Sequence, residues 1–405
     1  MSTQELKHHG ASPFPARANR QARMKRRAHA AGAAATDDAG GKVLLARNWE
    51  AVRDVWQALE TQAAGSAYQT WGFHAAWLAS HGEEGEPLIA VAHHEGAPAL
   101  ILPLVRQGRT ARLPGGRHLN IGLPLVDGRL GHDTRAVLLK KVFAALRAEG
   151  VDLVIMHNAV PDALGVSAVL PRGLRIQTEW FFEGELLDDY DRLLKERRGK
   201  KTKGKLKRKL NRLREAEGFE IRRITARAEG EAVIDALIEQ KVARFSRKNI
   251  RTGFEDPRFR EFCLRMLDTG ALRLDVMFAE GRPLAIYGGG ECNGRYSAYF
   301  SSIEENSPYL KYGPGEVLLA HIVADACARG LKVLDLGVGT MAYKTSWCNR
   351  RLPVHTILAP LGIGGWIRAL PRAGWLAVRP HLKRLLLRHA GLRRLAERVL
   401  SRGIG

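Results

Sequence analysis

The sequence predicts an α/β protein built from two tandem copies of one unit. Each copy would be a mixed, twisted sheet flanked by helices, and a basic helical connector would join them. Three observations support this: a helix-like segment recurs 180 residues downstream, a similar hairpin precedes each copy, and the densest positive charge falls between them. At 405 residues, 45% apolar and 26% charged, the chain has ordinary globular composition with room for two cores.

The repeated segment runs from Val137 to Gly150 and again from Val317 to Gly330. Each copy reads as an amphipathic helix closed by glycine, where a left-handed cap is cheap. A short apolar strand follows, Leu153 to Met156 in one copy and Val333 to Leu336 in the other. Upstream, Glu95-Gly96-Ala97-Pro98 and Glu280-Gly281-Arg282-Pro283 read as hairpin turns. Strands are expected at Leu88–Ala92 and Leu100–Val105, and again at Leu272–Phe278 and Leu284–Gly288.

The net charge of +22 is concentrated in three places. Residues 1–41 net +4, residues 195–214 net +11 and residues 366–405 net +9, so the remaining body nets −2. A protein basic over its whole surface is excluded. Residues 1–41 read as a flexible basic arm, 42–190 as a first unit expected to hold no cofactor, and 191–218 as the connector. Residues 219–360 read as the second unit and 361–405 as a basic amphipathic tail. In the connector, Tyr190–Leu194 and Leu206–Leu213 look helical, with Gly199 and Gly204 loosening the middle. The tail reads as three short helices broken by Pro371, Pro380 and Gly391.

Cys263, Cys292, Cys327 and Cys348 lie far apart without metal-ligand spacing, so no metal site is expected and a reducing compartment fits. No run of eighteen apolar residues occurs, and the alanines after Met24-Lys25-Arg26-Arg27 lack a signal-peptide core. A cytoplasmic location is expected.

The copies differ where chemistry could sit. The second helix is entered through Tyr312-Gly313-Pro314-Gly315-Glu316, which is either a tight loop or a cradle for phosphate at a helix N-terminus. Asp335 replaces Ile155 of the first copy. A carboxylate in an apolar strand is either a structural brace or a functional group, since burying it unpaired costs several kcal/mol (roughly). Gly337-Val338-Gly339 then leads into Tyr343, Lys344 and Trp347, an acid, a cation and an aromatic wall at a strand end.

These residues resemble a known family. From about Lys241 to Trp347 the chain is similar to the GNAT-superfamily acyltransferase domain of CelD-like proteins from polysaccharide and cellulose biosynthesis. The resemblance rests on Tyr296-Ser297-Ala298-Tyr299, the Tyr312-x-Pro314-Gly315 loop, Leu334-Asp335-Leu336-Gly337-x-Gly339 and Tyr343-Lys344-x-x-Trp347. Tyr68-Gln69-Thr70-Trp71 and Trp77 extend it into the first half. Twin units around a basic segment also resemble Fem-type peptidyltransferases.

The resemblance implies an N-acyltransferase with acetyl-CoA or a longer acyl-CoA as co-substrate and an amine or hydroxyl acceptor. The pantetheine arm would lie between the splayed strands near Tyr296–Phe300 and Val333–Leu336, with Tyr299, Gly337 and Gly339 among the cofactor-binding residues. The pyrophosphate would rest on Tyr312, Gly313, Pro314, Gly315 and Glu316. Acyl transfer needs a base, because an ammonium with a pKa near ~10 cannot attack. Asp335 is assigned as base or orienter, Tyr343 as acid and Lys344 as oxyanion stabiliser, with backbone N–H groups at Ala298–Phe300 as further donors. Lys241, Arg244 and Trp347 are expected on the acceptor side, with Asn249. The tail suggests contact of residues 366–405 with an anionic inner membrane surface. Nucleic acid is not expected, except tRNA in the alternative of a Fem-like peptidyltransferase. A non-catalytic GNAT scaffold at the membrane is the remaining alternative.

Overall fold

The computed structural model describes residues 35–36, 42–166, 173–247 and 253–388. The arm, apart from Ala35 and Thr36, lies outside them, as do Asn249 and the tail beyond Arg388. Ala35 and Thr36 correct the reading of a wholly flexible arm, because they pair antiparallel with Leu44 and Val43.

In the first half, strands β1 (Ala35–Thr36), β2 (Val43–Ala46), β3 (Ala63–Ala64), β4 (Glu86–His94), β5 (Ala97–Gln107), β6 (Thr110–Arg112), β7 (Leu125–Asp127), β8 (Leu153–Ala159) and β9 (Leu174–Glu185) accompany helices α1 (Arg53–Glu60), α2 (Trp71–His81) and α3 (His132–Ala148). The connector forms α4 (Tyr190–Arg198) and α5 (Thr202–Leu213). In the second half, β10 (Glu220–Ile224), α6 (Arg227–Ser246) and α7 (Pro257–Asp268) lead into β11 (Arg273–Ala279), β12 (Arg282–Cys292) and β13 (Arg295–Ile303). Then come α8 (Pro314–Ala328), β14 (Val333–Val338), α9 (Ala342–Trp347), β15 (Arg350–Pro360) and α10 (Ile363–Arg388).

The duplication is visible in the backbone. Hairpins β4–β5 and β11–β12 turn through Glu95-Gly96 (φ 51° and 79°) and Glu280-Gly281 (φ 53° and 70°), the double left-handed turn that matches strand twist. Helices α3 and α8 both end at a left-handed glycine, Gly150 and Gly330. Each crosses over between parallel strands, β6 to β8 and β13 to β14.

The final strands are exchanged between the copies. β9, from the first half, pairs with β14, whereas β15, from the second half, pairs with β8. β9 and β15 pair with each other, so one sheet runs β1-β2-β4-β5-β6-β8-β15-β9-β14-β13-β12-β11-β10. The exchange is tied by the buried Arg295, whose Nη1 lies 2.6 Å from Glu183 Oε2 on β9 and whose Nη2 donates to the Ala163 carbonyl at 2.9 Å. One core packs α2, α3, α6 and α7 against the sheet, and a second packs α4, α5 and α8 with Trp347.

Two expectations about helix breaks are corrected. Gly204 lies inside α5, because Leu206 and Leu213 bury one face in the second core and outweigh the intrinsic cost of a glycine. The tail forms one helix through Pro371 and Pro380. Pro371 and Ile367 are exposed, so water can satisfy the carbonyl that the proline leaves without a donor, while Ala369 and Ala373 anchor the helix on β8, β9 and β15. Among the described residues no helix is long and apolar enough to cross a membrane.

Replacing Arg295 by Met strands the buried Glu183 and is expected to destabilise the protein by about 3 kcal/mol, toward the low end for a broken buried pair because Arg350 still reaches Glu183. Urea denaturation measures this, and adding Glu183→Leu recovers part of the loss.

Candidate functional site

Strands β13 and β14 pair only at Arg295/Val333, Tyr296/Leu334 and Ser297/Asp335. Beyond Asp335 the register of β14 against β9 shifts, Gly337 turns at φ 73°, and Gly337 and Val338 pair with Phe182 and Phe181 of β9. β13 continues along β12 with one bulged residue, Tyr299, opposite the Gly288/Gly289 step. The two parallel strands therefore stop pairing after Ser297/Asp335 and part beside the bulge. Glycines make the bulge possible. A side chain at Gly288, Gly289 or Gly290 would collide with Phe300, Tyr296 or the Tyr299 hydroxyl, respectively. This Gly-Gly-Gly run facing three aromatics was readable in the sequence and was missed.

Asp335 sits at the vertex with no solvent exposure. Its Oδ1 accepts the Gly337 N–H at 2.8 Å, and the buried Ser297 hydroxyl lies beside the carboxyl, where its hydrogen bond favours the ionised form. Burial pushes its carboxyl up to about 7, against the opposing pull of the Arg295 cation. Lys344 is brought close. Its ammonium donates to the carbonyls of Val338 (2.7 Å) and Gly337 (3.3 Å), and burial lowers it to about 8 despite the nearby Asp335 charge. Lys344 therefore closes the end of β14, a positioning task the sequence did not predict. Tyr343 points elsewhere, 37% exposed and beside Tyr287, Cys348 and Arg244. Burial of its hydroxyl raises it to about 12, so it stays protonated near neutrality.

The expected cofactor residues fall into two groups. Gly337 and Gly339 do not offer free amides, because Asp335 and the Trp180 carbonyl already accept them. Tyr299 is also taken up, its hydroxyl donating to the carbonyls of Ala271 (3.1 Å) and Ala67 (3.3 Å). The helix entry is more open to a ligand. Gly313 is left-handed at φ 64°, Pro314 starts α8, and a side chain at Gly315 would strike Ile303 of β13 at 2.6 Å. Tyr312 carries Lys311 over its ring at 5.2 Å. Two connector cations, Arg198 and Lys209, converge here on the Glu316 carboxylate. Burial alone would raise that carboxyl, but hydrogen bonds from Lys209 and Arg198 hold it below its ordinary value. Because the amides of Gly313 and Glu316 are bonded to Leu310 and Gly313, an anion at this turn would rely chiefly on Arg198 and Lys209.

On the acceptor side, the expectation for Trp347 is corrected. It is buried in the second core with the Arg198 guanidinium 4.8 Å over its ring, so it presents no free wall. Arg244 pairs with Glu305 at 3.3 Å. Lys241 lies 5.0 Å from the Phe254 ring and 5.8 Å from that of Phe245, and burial lowers its ammonium to about 8. A chain of rings, Phe254–Phe259–Phe300, joins Lys241 to the bulge.

Asp335 is ionised in an unfolded chain above about pH 4 and stays protonated in the folded protein to about 7. The folded state therefore binds the extra proton, and this contribution to stability is lost as pH rises through that window. Relative to wild type, Asp335→Asn is expected to flatten the fall in melting temperature between pH 5 and 8.

Residues 200–345 match the family model of the acetyltransferase (GNAT) domain. In structure the chain is similar to FemX, with a TM-score of 0.53, 12% identity and coverage of 78% of this chain and 94% of that one. It is also similar to the C-terminal DUF2156 domain of a protein named as a lysylphosphatidylglycerol synthetase, from Agrobacterium fabrum (TM-score 0.50, 13% identity, 81% and 98% covered). A conserved protein of unknown function from Bacteroides thetaiotaomicron is alike to the same degree (TM-score 0.50, 15% identity, 78% and 99% covered). At such identities the likeness is one of fold. No curated protein matches the chain in sequence. Residues 200–345 are thus similar to a GNAT acetyltransferase domain, and that match supports an acyltransferase.

Proposed function

We propose that the protein transfers an acyl group from a coenzyme A thioester to an amine or hydroxyl acceptor in the slot between β13 and β14. One observation carries this: parallel strands part at an acidic residue poised near neutrality, beside a bulge and below a helix entry faced by two cations. Arg198 and Lys209 would hold the pyrophosphate, displacing the Glu316 carboxylate. The acceptor nitrogen or oxygen attacks the thioester carbon and its proton passes to Asp335. Backbone N–H groups at the Tyr299 bulge face the oxyanion. The carbon–sulfur bond then breaks, and the thiolate takes up the proton that Asp335 received, which restores the base.

Calorimetry with acetyl-CoA is expected to give a binding isotherm that Arg198→Ala/Lys209→Ala weakens at least tenfold. Asp335→Asn should leave binding within twofold and lower thiol release to amine and hydroxyl acceptors by about 100-fold or more. No heat with any coenzyme A derivative would sink the proposal.

The polysaccharide context draws on the CelD resemblance alone. A second reading, transfer from aminoacyl-tRNA, draws on the exposed Lys205, Lys207 and Arg208 of α5. Strongly salt-sensitive tRNA binding without coenzyme A binding would favour it. Contact with an anionic membrane is supported by α10, where Ile363, Trp366, Ile367, Leu370 and Val378 are exposed on a helix with six basic and no acidic residues. Ile367→Glu is expected to abolish flotation with phosphatidylglycerol vesicles, and unchanged flotation would remove this surface.

A further inference from the structure

The slot is not made by the second half alone. Tyr68, on the single turn Ala67–Gln69, is fully buried, and its hydroxyl donates to the Ala298 carbonyl at 3.0 Å while accepting from Asn120 Nδ2 at 2.6 Å. Asn120 in turn lies against Gly337, where a Cβ would come within 2.7 Å of its amide nitrogen. Ala298 follows the last residue of β13 that pairs with β14, and Gly337 lies just past the last residue of β14 that pairs with β13, where β14 continues on β9 alone. Two side chains from the first half therefore bridge the gap just where the strands separate.

This bridge is stiff. Gln69 accepts from the Ser66 amide (2.9 Å) and hydroxyl (2.7 Å) and donates to the Ile121 carbonyl at 2.6 Å, while Trp56 Nε1 donates to the Gln69 carbonyl at 2.9 Å. The Tyr68 ring meets Phe73 and Tyr299 edge-on at 5.6 and 5.0 Å. Moving it aside would leave buried polar groups without partners, which is costly. The bridge also faces the first core, across the sheet from α8 and its cations, so it stands at the far end of a thioester entering from the α8 side.

We propose that Tyr68 and Asn120 are the end wall of the acyl slot and restrict the donor to short acyl chains of about two or three carbons. The proposal rests on the acyl-CoA reading above. Calorimetry on the full chain with CoA, acetyl-CoA and octanoyl-CoA tests it. Wild type is expected to bind acetyl-CoA at least tenfold more tightly than octanoyl-CoA. Asn120→Ala and Tyr68→Ala should bring that ratio within threefold while leaving the affinity for CoA itself unchanged. Asn120 is only half-buried, so its variant keeps the test sound if Tyr68→Ala fails to fold. Equal wild-type affinity for both thioesters, or a ratio that persists in a folded Asn120→Ala variant, overturns the wall and leaves the acyl-CoA reading standing. Absence of binding to every coenzyme A species overturns both.

Discussion

β14 has two neighbours and cannot follow both. It pairs with β9 along its whole length but with β13 only up to Asp335, beyond which a left-handed glycine lets it continue on β9 alone. Asp335 is part of that choice, because its carboxylate accepts the amide of Gly337 and so secures the turn by which the strands diverge. The slot, the burial of Asp335 and the placement of Lys344 over two strand-end carbonyls all depend on this divergence. Gly337 is required on two counts: its backbone is left-handed, and the Asn120 amide occupies the space of a side chain.

The exchange of final strands explains how the divergence is sustained. β9 pairs with the far edge of β14 on both sides of Asp335, so β14 stays hydrogen-bonded along that edge after it leaves β13. Because β9 belongs to the first half and β15 to the second, neither half completes its sheet without the other. The buried Arg295 links β13 to Glu183 on β9, and its charge opposes the rise in the pKa of Asp335 that burial imposes. One guanidinium thus serves both the joining of the halves and the protonation of the acid at the vertex.

The basic connector has a double character. Its total charge invites a general polyanion role, yet Arg198 and Lys209 are directed inward to the start of α8. Leu194, Leu206 and Leu213, on the same side of these helices at a spacing of three or four residues from the two cations, are buried in the second core and hold those cations in place. Their carboxylate partner, Glu316, is contributed by the helix whose entry they face, so it neutralises one of the two positive charges and leaves the turn net positive.

The duplication, the hairpin turns and the glycine caps were legible in the sequence because each is encoded within a few consecutive residues: paired turn residues, alternation along strands, helical periodicity and a terminal glycine. The replacement of Ile155 by Asp335 was legible for the same reason, once the copies were aligned. Tertiary structure alone decided that β9 and β15 change places, that Trp347 lies beneath Arg198, and that Tyr68 and Asn120 meet Ala298 and Gly337 some two hundred residues away. Local pattern specifies which face of an element is apolar and where it stops. It carries no record of which edge that element will meet, since that is selected by the joint packing of the whole sheet.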